Sequence, residues 1–321
     1  MNSINNEDNL IFDNPVQVFS DTLVELAEKD ERIVLISTDS HKGGGVKFKD
    51  KFPNRFFEFG ICEQNAASVS AGLAWAGMKP FWSALSTFVT MRCFEQIRDD
   101  IVRPHLDVVI CGRGSGLSYS TQGPTHVSID EMGILRTLPK MTVIAPADGL
   151  DYRNTIINSV KLGGPVYFRQ DKSLTQRVNP ENYKFEIGKG VVLREGSDIT
   201  LIGCGVMVYT SLKVAEILEK FKIKAGVINM HTIKPIDEDL IINSAKKTGL
   251  IATLEEHTVF NGLGSAVSDV LSQNYPVKII KFGFNDEWPT NGRNREEVMD
   301  YHGLSAKKIA EKLKDSFLKR A

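Results

Sequence analysis

Cysteine is scarce: the 321 residues hold four, Cys62, Cys93, Cys111 and Cys204. They form no CxxC pair and have no histidine at zinc-ligand spacing, which excludes a disulfide framework and a structural zinc site and points to reduced, mostly buried thiols. Long hydrophobic runs are also missing. No stretch of ~18 apolar residues occurs, and the opening MNSINNEDNLIFD lacks a basic segment followed by an apolar one, so neither a membrane span nor an export signal is indicated. Nor does charge of one sign dominate: 39 Lys and Arg face 40 Asp and Glu, a net charge of −1 that offers no footprint for nucleic acid or an anionic membrane. A cytoplasmic or other reducing compartment is the expectation. What is present, 42% apolar and 25% charged residues with 26 Gly and 12 Pro, is the balance of a soluble globular protein. At ~100–200 residues per domain the length favours two domains.

Short β-branched runs alternate with amphipathic stretches, the order of βαβ units that build mostly parallel sheets covered by helices on both faces. The expected fold class is therefore α/β, with two three-layer domains. Asn14-Pro15 caps and starts a helix through Lys29, and strands are expected at Ile33–Ser37, Arg55–Gly60, Pro80–Leu85, Asp107–Gly112, Thr142–Pro146 and Val166–Arg169. Helices are expected at Glu63–Trp75, Val89–Arg103, Glu131–Leu138 and Asp151–Leu162, with a polar loop over Gly114–Ser128. The segment 172–196, polar and without a strong period, reads as a linker between a first domain at 1–171 and a second at 197–321. In the second domain strands are expected at Ile199–Gly203, Ala225–Asn229, Leu250–Glu255 and Val277–Lys281, with helices at Val206–Phe221, Asp237–Lys247, Gly264–Gln273 and Leu304–Leu318. Gly203-Cys204-Gly205 and Gly262-Leu263-Gly264 do not complete a dinucleotide-binding G-x-G-x-x-G and are read as strand-to-helix turns.

The chemistry concentrates in FFEFGICEQNAASVSAGLAWAGMKPFWSALSTF, where Glu63 stands at the point a strand and short turn run into a helix rich in small residues. A carboxylate in the first turn of a helix suits the macrodipole without any further role. Its neighbours set this one apart: Gly60, Gln64 and Asn65, the small face Ala66, Ala67, Ser70, Ala71 and Gly72, and the strand leading to Ser86-Thr87-Phe88. The loop RGSGLSYSTQGPTHVSIDE is long, polar and Gly-rich, as active-site loops between rigid elements tend to be.

With GICEQN at 60–65, LSTF at 85–88, GPTH at 123–126, TVIAPAD at 142–148 and LEEHTVFNGLGSAV at 254–267, nearly the whole chain resembles the thiamine-diphosphate enzymes of the transketolase family. The matching part is the half that carries the pyrimidine-binding domain followed by the C-terminal domain.

The resemblance implies a two-carbon ketol transfer between sugars ending in phosphate or a similar anion. Thiamine diphosphate works after its thiazolium C2 loses a proton to the imino form of its own aminopyrimidine, and a carboxyl group held at N1′ in an apolar pocket favours that form. Glu63 takes this role by resemblance. Phe88 is the stacking partner of the ring, with Leu85 and Ile61 on the pocket wall. His126 would donate to a substrate oxygen, and Arg169, closing the strand of PVYFRQ, would hold the terminal anion, with Arg113 and His41 as further anion ligands. Transketolases typically read D-G-P-T-H in this loop; here Gln122 replaces the Asp, an uncharged amide that changes the preferred sugar. The chain also lacks a G-D-G followed ~25–30 residues later by Asn, the set that holds magnesium and the diphosphate. The metal ligands are expected mainly from a partner, an N-terminal subunit carrying the diphosphate-binding domain, in an α2β2 assembly. Three alternatives stay open: a 1-deoxy-ketose synthase-like enzyme, a 2-oxoacid dehydrogenase β-subunit, and a non-catalytic regulatory subunit.

Overall fold

Residues 10–39, 44–290 and 293–319 are described by the structure, a computed structural model of the chain. They form two large sheets, each flanked by helices, and a two-stranded antiparallel pair, Phe12–Asp13 with Thr175–Gln176. The first has seven strands in the order Thr232–Lys234, Thr142–Ile144, Val166–Gln170, Val109–Arg113, Lys79–Leu85, Ile33–Ser37 and Phe56–Glu58. All pair in parallel except Thr232–Lys234, which runs antiparallel to Thr142–Ile144. The second has five, in the order Lys278–Phe284, Leu250–Thr258, Ile199–Gly203, Ala225–Asn229 and Val191–Arg194, the last antiparallel. The α/β class with mostly parallel sheets is as the alternation requires: strands such as Ile33–Ser37 and Ile199–Gly203 are buried along their whole length, because helices cover both faces.

Local signals explain where the helices begin. The Asn14 side chain accepts from the N–H groups of Val16 and Gln17 at 3.1 and 3.2 Å, and Pro15 takes the first helical position of Pro15–Ala27. The helix expected at Val89–Arg103 is not continuous. Wide turns at Phe88–Arg92 and Ile97–Val102 flank a short α-helical piece, Phe94–Gln96, and Cys93 interrupts them at φ −126°, ψ 30°. Such i→i+5 turns shift the side-chain register of a helix, and here they lie beside Glu63.

Two expectations of domain organisation change. Val191–Arg194 falls within the stretch read as a linker, yet it pairs with Ala225–Asn229, so the second sheet begins inside 172–196. Its exposure pattern, half-buried and exposed along an edge, left no apolar alternation to read. In the other direction Thr232–Lys234 leaves the second unit to join the edge of the first sheet. The apolar interior accordingly spans both: Trp82, Ile110 and Tyr167 of the first sheet share one cluster with Ile202, Ile228 and Leu263. Among the described residues no helix is long and apolar enough to cross a membrane.

Candidate active site

The six parallel strands of the first sheet end on one edge, and in open parallel sheets the crevice outside the carboxyl ends is where ligands are received. Leu85 closes its strand in register with Arg113, which in turn pairs with Gln170. From this edge rise the turn before Glu63, the wide turn from Phe88 and the loop 114–128.

Glu63 is the first residue of the helix Glu63–Trp75 and only 3% exposed. Its Oε2 accepts from Arg92 Nη1 at 2.8 Å. The same guanidinium lies over the Phe88 ring, with Cζ 4.2 Å from the centroid. Phe88 meets the His126 ring edge-on at 5.5 Å, and His126 meets Tyr119 in the same way at 6.4 Å. Lys172 Nζ stands 4.4 Å over the far ring, Tyr119. Glu63, Arg92, Phe88, His126, Tyr119 and Lys172 thus form one continuous strip. His126 is half-buried, its Nδ1 2.9 Å from Thr125 Oγ1.

The expected site residues distribute as follows. Glu63, Phe88 and His126 are brought together. Leu85 is half-buried at the same sheet edge, whereas Ile61 is 68% exposed just ahead of the helix. Gln122 is exposed at the end of the single turn Ser120–Gln122. Arg113 is half-buried, and its Nε finds no hydrogen-bond partner among the described residues. His41 lies outside the described residues.

Arg169, expected to hold the terminal anion, is buried, with each nitrogen of its guanidinium engaged within the protein. Nε donates to Glu131 Oε1 at 2.5 Å and Nη2 to Glu131 Oε2 at 3.0 Å, while Nη1 donates to the Glu256 carbonyl at 3.0 Å and Nη2 to that of Ser128 at 3.2 Å. Burial opposes both charges, but each partner overrides it: Arg169 holds the Glu131 carboxyl below the usual carboxylate range, and Glu131 raises the guanidinium. Four of its five N–H donors are thus used inside the protein, which leaves one Nη1 hydrogen. Glu131 lies 38 residues away in sequence, so no local spacing announces the pair.

Arg92, Tyr119 and Lys172 were not singled out from the sequence. For Arg92 a signal existed in its i+4 spacing from Phe88, which an α-helical turn would bring to one face.

Two family models match the chain in succession. Residues 15–177 match the family model described as transketolase, pyrimidine binding domain, and residues 188–309 match transketolase, C-terminal domain. A putative transketolase C-terminal section from Methanocaldococcus jannaschii is 36% identical over 305 residues, covering 94% of this chain and 95% of that protein. A 6-deoxy-6-sulfo-D-fructose transketolase subunit from Clostridium sp. (strain MSTE9) is 36% identical over 292 residues, 91% of this chain and 90% of that subunit. Among solved structures, a split gene transketolase described as an inactive beta4 tetramer superimposes with a TM-score of 0.86 at 35% identity, over 97% of this chain and 99% of that one.

Proposed function

Because the chain belongs to the transketolase family, as its pyrimidine-binding and C-terminal parts, we propose that it is one subunit of a two-chain, thiamine-diphosphate-dependent transketolase. It is a transferase that moves a two-carbon ketol unit between a ketose and an aldose, active only with a second chain that carries the diphosphate-binding domain and the Mg²⁺ ligands, in an α2β2 assembly. A cytoplasmic location goes with four thiols that remain unpaired. The observation that carries the reading is the strip from Glu63 through Phe88 to His126, in which residues from three separate segments meet at one sheet edge.

The residues fit an aminopyrimidine. A buried carboxylate beside a half-buried phenyl face offers one acidic group for a ring nitrogen and one apolar surface for stacking. Thiamine diphosphate supplies, at its thiazolium carbon, the nucleophile that carries the two-carbon unit. Glu63 holds the proton shared with N1′, in a site where burial keeps water from competing for it. Phe88 and Leu85, with Ile61 at the rim, pack against the pyrimidine, and His126 donates to a substrate oxygen. Gln122 reads a sugar hydroxyl. The terminal anion, a phosphate or a chemically similar group, falls to Arg113, whose Nε has no hydrogen-bond partner among the described residues, with His41 as a further ligand. Two relatives are named for sugars bearing such groups: the Clostridium sulfofructose transketolase subunit and an apulose-4-phosphate transketolase subunit from Phocaeicola vulgatus.

Reconstitution tests the proposal. The chain alone should be folded and inactive, and mixing with its diphosphate-binding partner should yield ketol transfer that requires both thiamine diphosphate and Mg²⁺. Turnover by the chain alone would overturn it.

A further inference from the structure

The loop 114–128, which carries Gln122 and His126, is held from both halves of the chain: the N–H groups of Gly114 and Ser115 donate to the Gln170 carbonyl at 2.7 and 3.3 Å, and a second set of contacts comes from the C-terminal half. Its base is closed by a two-bond bridge: Gly116 N–H donates to the Ser128 carbonyl at 2.9 Å and Ser128 N–H to the Gly116 carbonyl at 3.1 Å. Both limbs beyond this bridge are gripped from the strand Leu250–Thr258. On one side the Glu256 Oε2 accepts the N–H of Leu117 at 2.9 Å; on the other the N–H of Thr258 donates to the Ile129 carbonyl at 2.6 Å. Gly116 has φ +61°, and a Cβ there would run into the Glu256 carboxylate, so the approach of the two segments leaves room for glycine alone. Leu117 and Val127 of the loop, and Ile129 just after it, pack in one cluster with Ile199, Leu201 and Phe284 of the second sheet.

Glu256 is itself fixed by a residue outside the expected site. Arg295, at the start of the short helix Arg295–Tyr301, sets its Nε 2.9 Å from Glu256 Oε1 and donates from Nη2 to Asp171 at 2.5 Å and to Ser118 Oγ at 3.1 Å. Ser118 Oγ also donates to Asp171 Oδ1 at 2.9 Å. One guanidinium therefore ties together the C-terminal sheet, the loop, and the residue that follows the strand Val166–Gln170 of the first sheet.

We propose that Glu256 and Arg295 are positioning residues for the reaction: the C-terminal half serves as the scaffold that sets the substrate loop, and through it His126, in place. The catalytic part of this inference rests on the transketolase reading, while the scaffolding part does not. A loop misplaced by about 1 Å loses on the order of 100-fold in rate through geometry alone, so the clamp should be felt in kcat.

Arg295→Met keeps the aliphatic stem and removes both ion pairs; Arg295→Lys keeps the charge, and Glu256→Gln keeps an acceptor for Leu117 without the charge. Amide exchange followed by mass spectrometry on the isolated chain should show peptides within 114–128 opening about tenfold faster in Arg295→Met, with the buried strand Ile199–Gly203 unchanged and Arg295→Lys partly restored. In the reconstituted enzyme kcat should fall about 10- to 100-fold while KM moves little. Unchanged exchange over 114–128 in both Arg295→Met and Glu256→Gln overturns the scaffold. Faster exchange with full kcat overturns the catalytic role while leaving the scaffold standing. Absence of ketol transfer in the unsubstituted assembly would instead count against the transketolase reading, and the exchange result would still decide the scaffold.

Discussion

Arg92 occupies both surfaces that Glu63 and Phe88 would offer to a ring: it donates to the buried carboxylate at 2.8 Å and lies 4.2 Å over the phenyl centroid. Its side chain is 41% exposed against 3% for Glu63, so the guanidinium can swing into solvent while the carboxylate stays where the helix starts. An aromatic ring seated on Phe88 with a nitrogen at Glu63 must first displace it. A half-exposed ion pair and cation–π contact together contribute about 1 kcal/mol. Arg92→Ala should therefore tighten thiamine diphosphate binding to the assembled enzyme roughly fivefold in titration calorimetry. A loss of tenfold or more would mean that Arg92 holds the cofactor.

Arg169 should behave as a structural residue. Removing one partner of a buried, fully hydrogen-bonded pair costs about 3–5 kcal/mol, so Arg169→Met should lower the urea midpoint sharply, and Glu131→Gln likewise. Whatever fraction folds should show the same KM ratio between phosphorylated and uncharged substrates as the unsubstituted chain. A stable Arg169→Met protein with KM raised only for anionic sugars would return the anion to Arg169.

The contrast between Glu63 and Arg169 shows what a sequence can disclose. The helix Glu63–Trp75 was legible to the residue because a turn, an acid and a run of small side chains lie consecutively. The strand Ile33–Ser37 was equally plain, since burial on both faces writes an unbroken apolar run. Phe88 and His126 were legible through the motifs LSTF and GPTH, but their mutual contact was not, because two wide turns and a loop set it. The surroundings of Arg169 were not legible because its partner Glu131, and the carbonyls of Ser128 and Glu256 to which it donates, are distant in sequence. The edge strand Val191–Arg194 was hidden for a related reason: half in solvent, it needs no apolar pattern, only a neighbour to pair with.

Glu255 gives the fold a pH dependence. Its carboxyl accepts from the N–H groups of Leu263 and Gly264, both at 2.7 Å, yet complete burial outweighs these bonds and pushes it up to about 7. Beside it, at 3.7 Å, His257 is kept neutral, burial pushing the imidazole down to about 4. An acid whose pKa rises on folding stabilises the fold fully below its unfolded value, near 4.5, and loses that contribution as pH climbs to about 7. The stability advantage of the unsubstituted chain over Glu255→Gln should thus be larger at about pH 5 than at about pH 8, by a few kcal/mol in urea unfolding. An advantage that grows with pH would show that the two backbone donors win and Glu255 is ionised.

The central claim is that Glu63 serves the cofactor's pyrimidine, and hydrogen–deuterium exchange at C2 of thiamine diphosphate in the reconstituted enzyme tests it without any sugar present. Glu63→Gln preserves shape but has no acidic proton to share, so exchange should slow by about 100-fold or more while the fold and cofactor binding persist. An exchange rate equal to that of the unsubstituted enzyme would contradict the account and transfer the role to another acid.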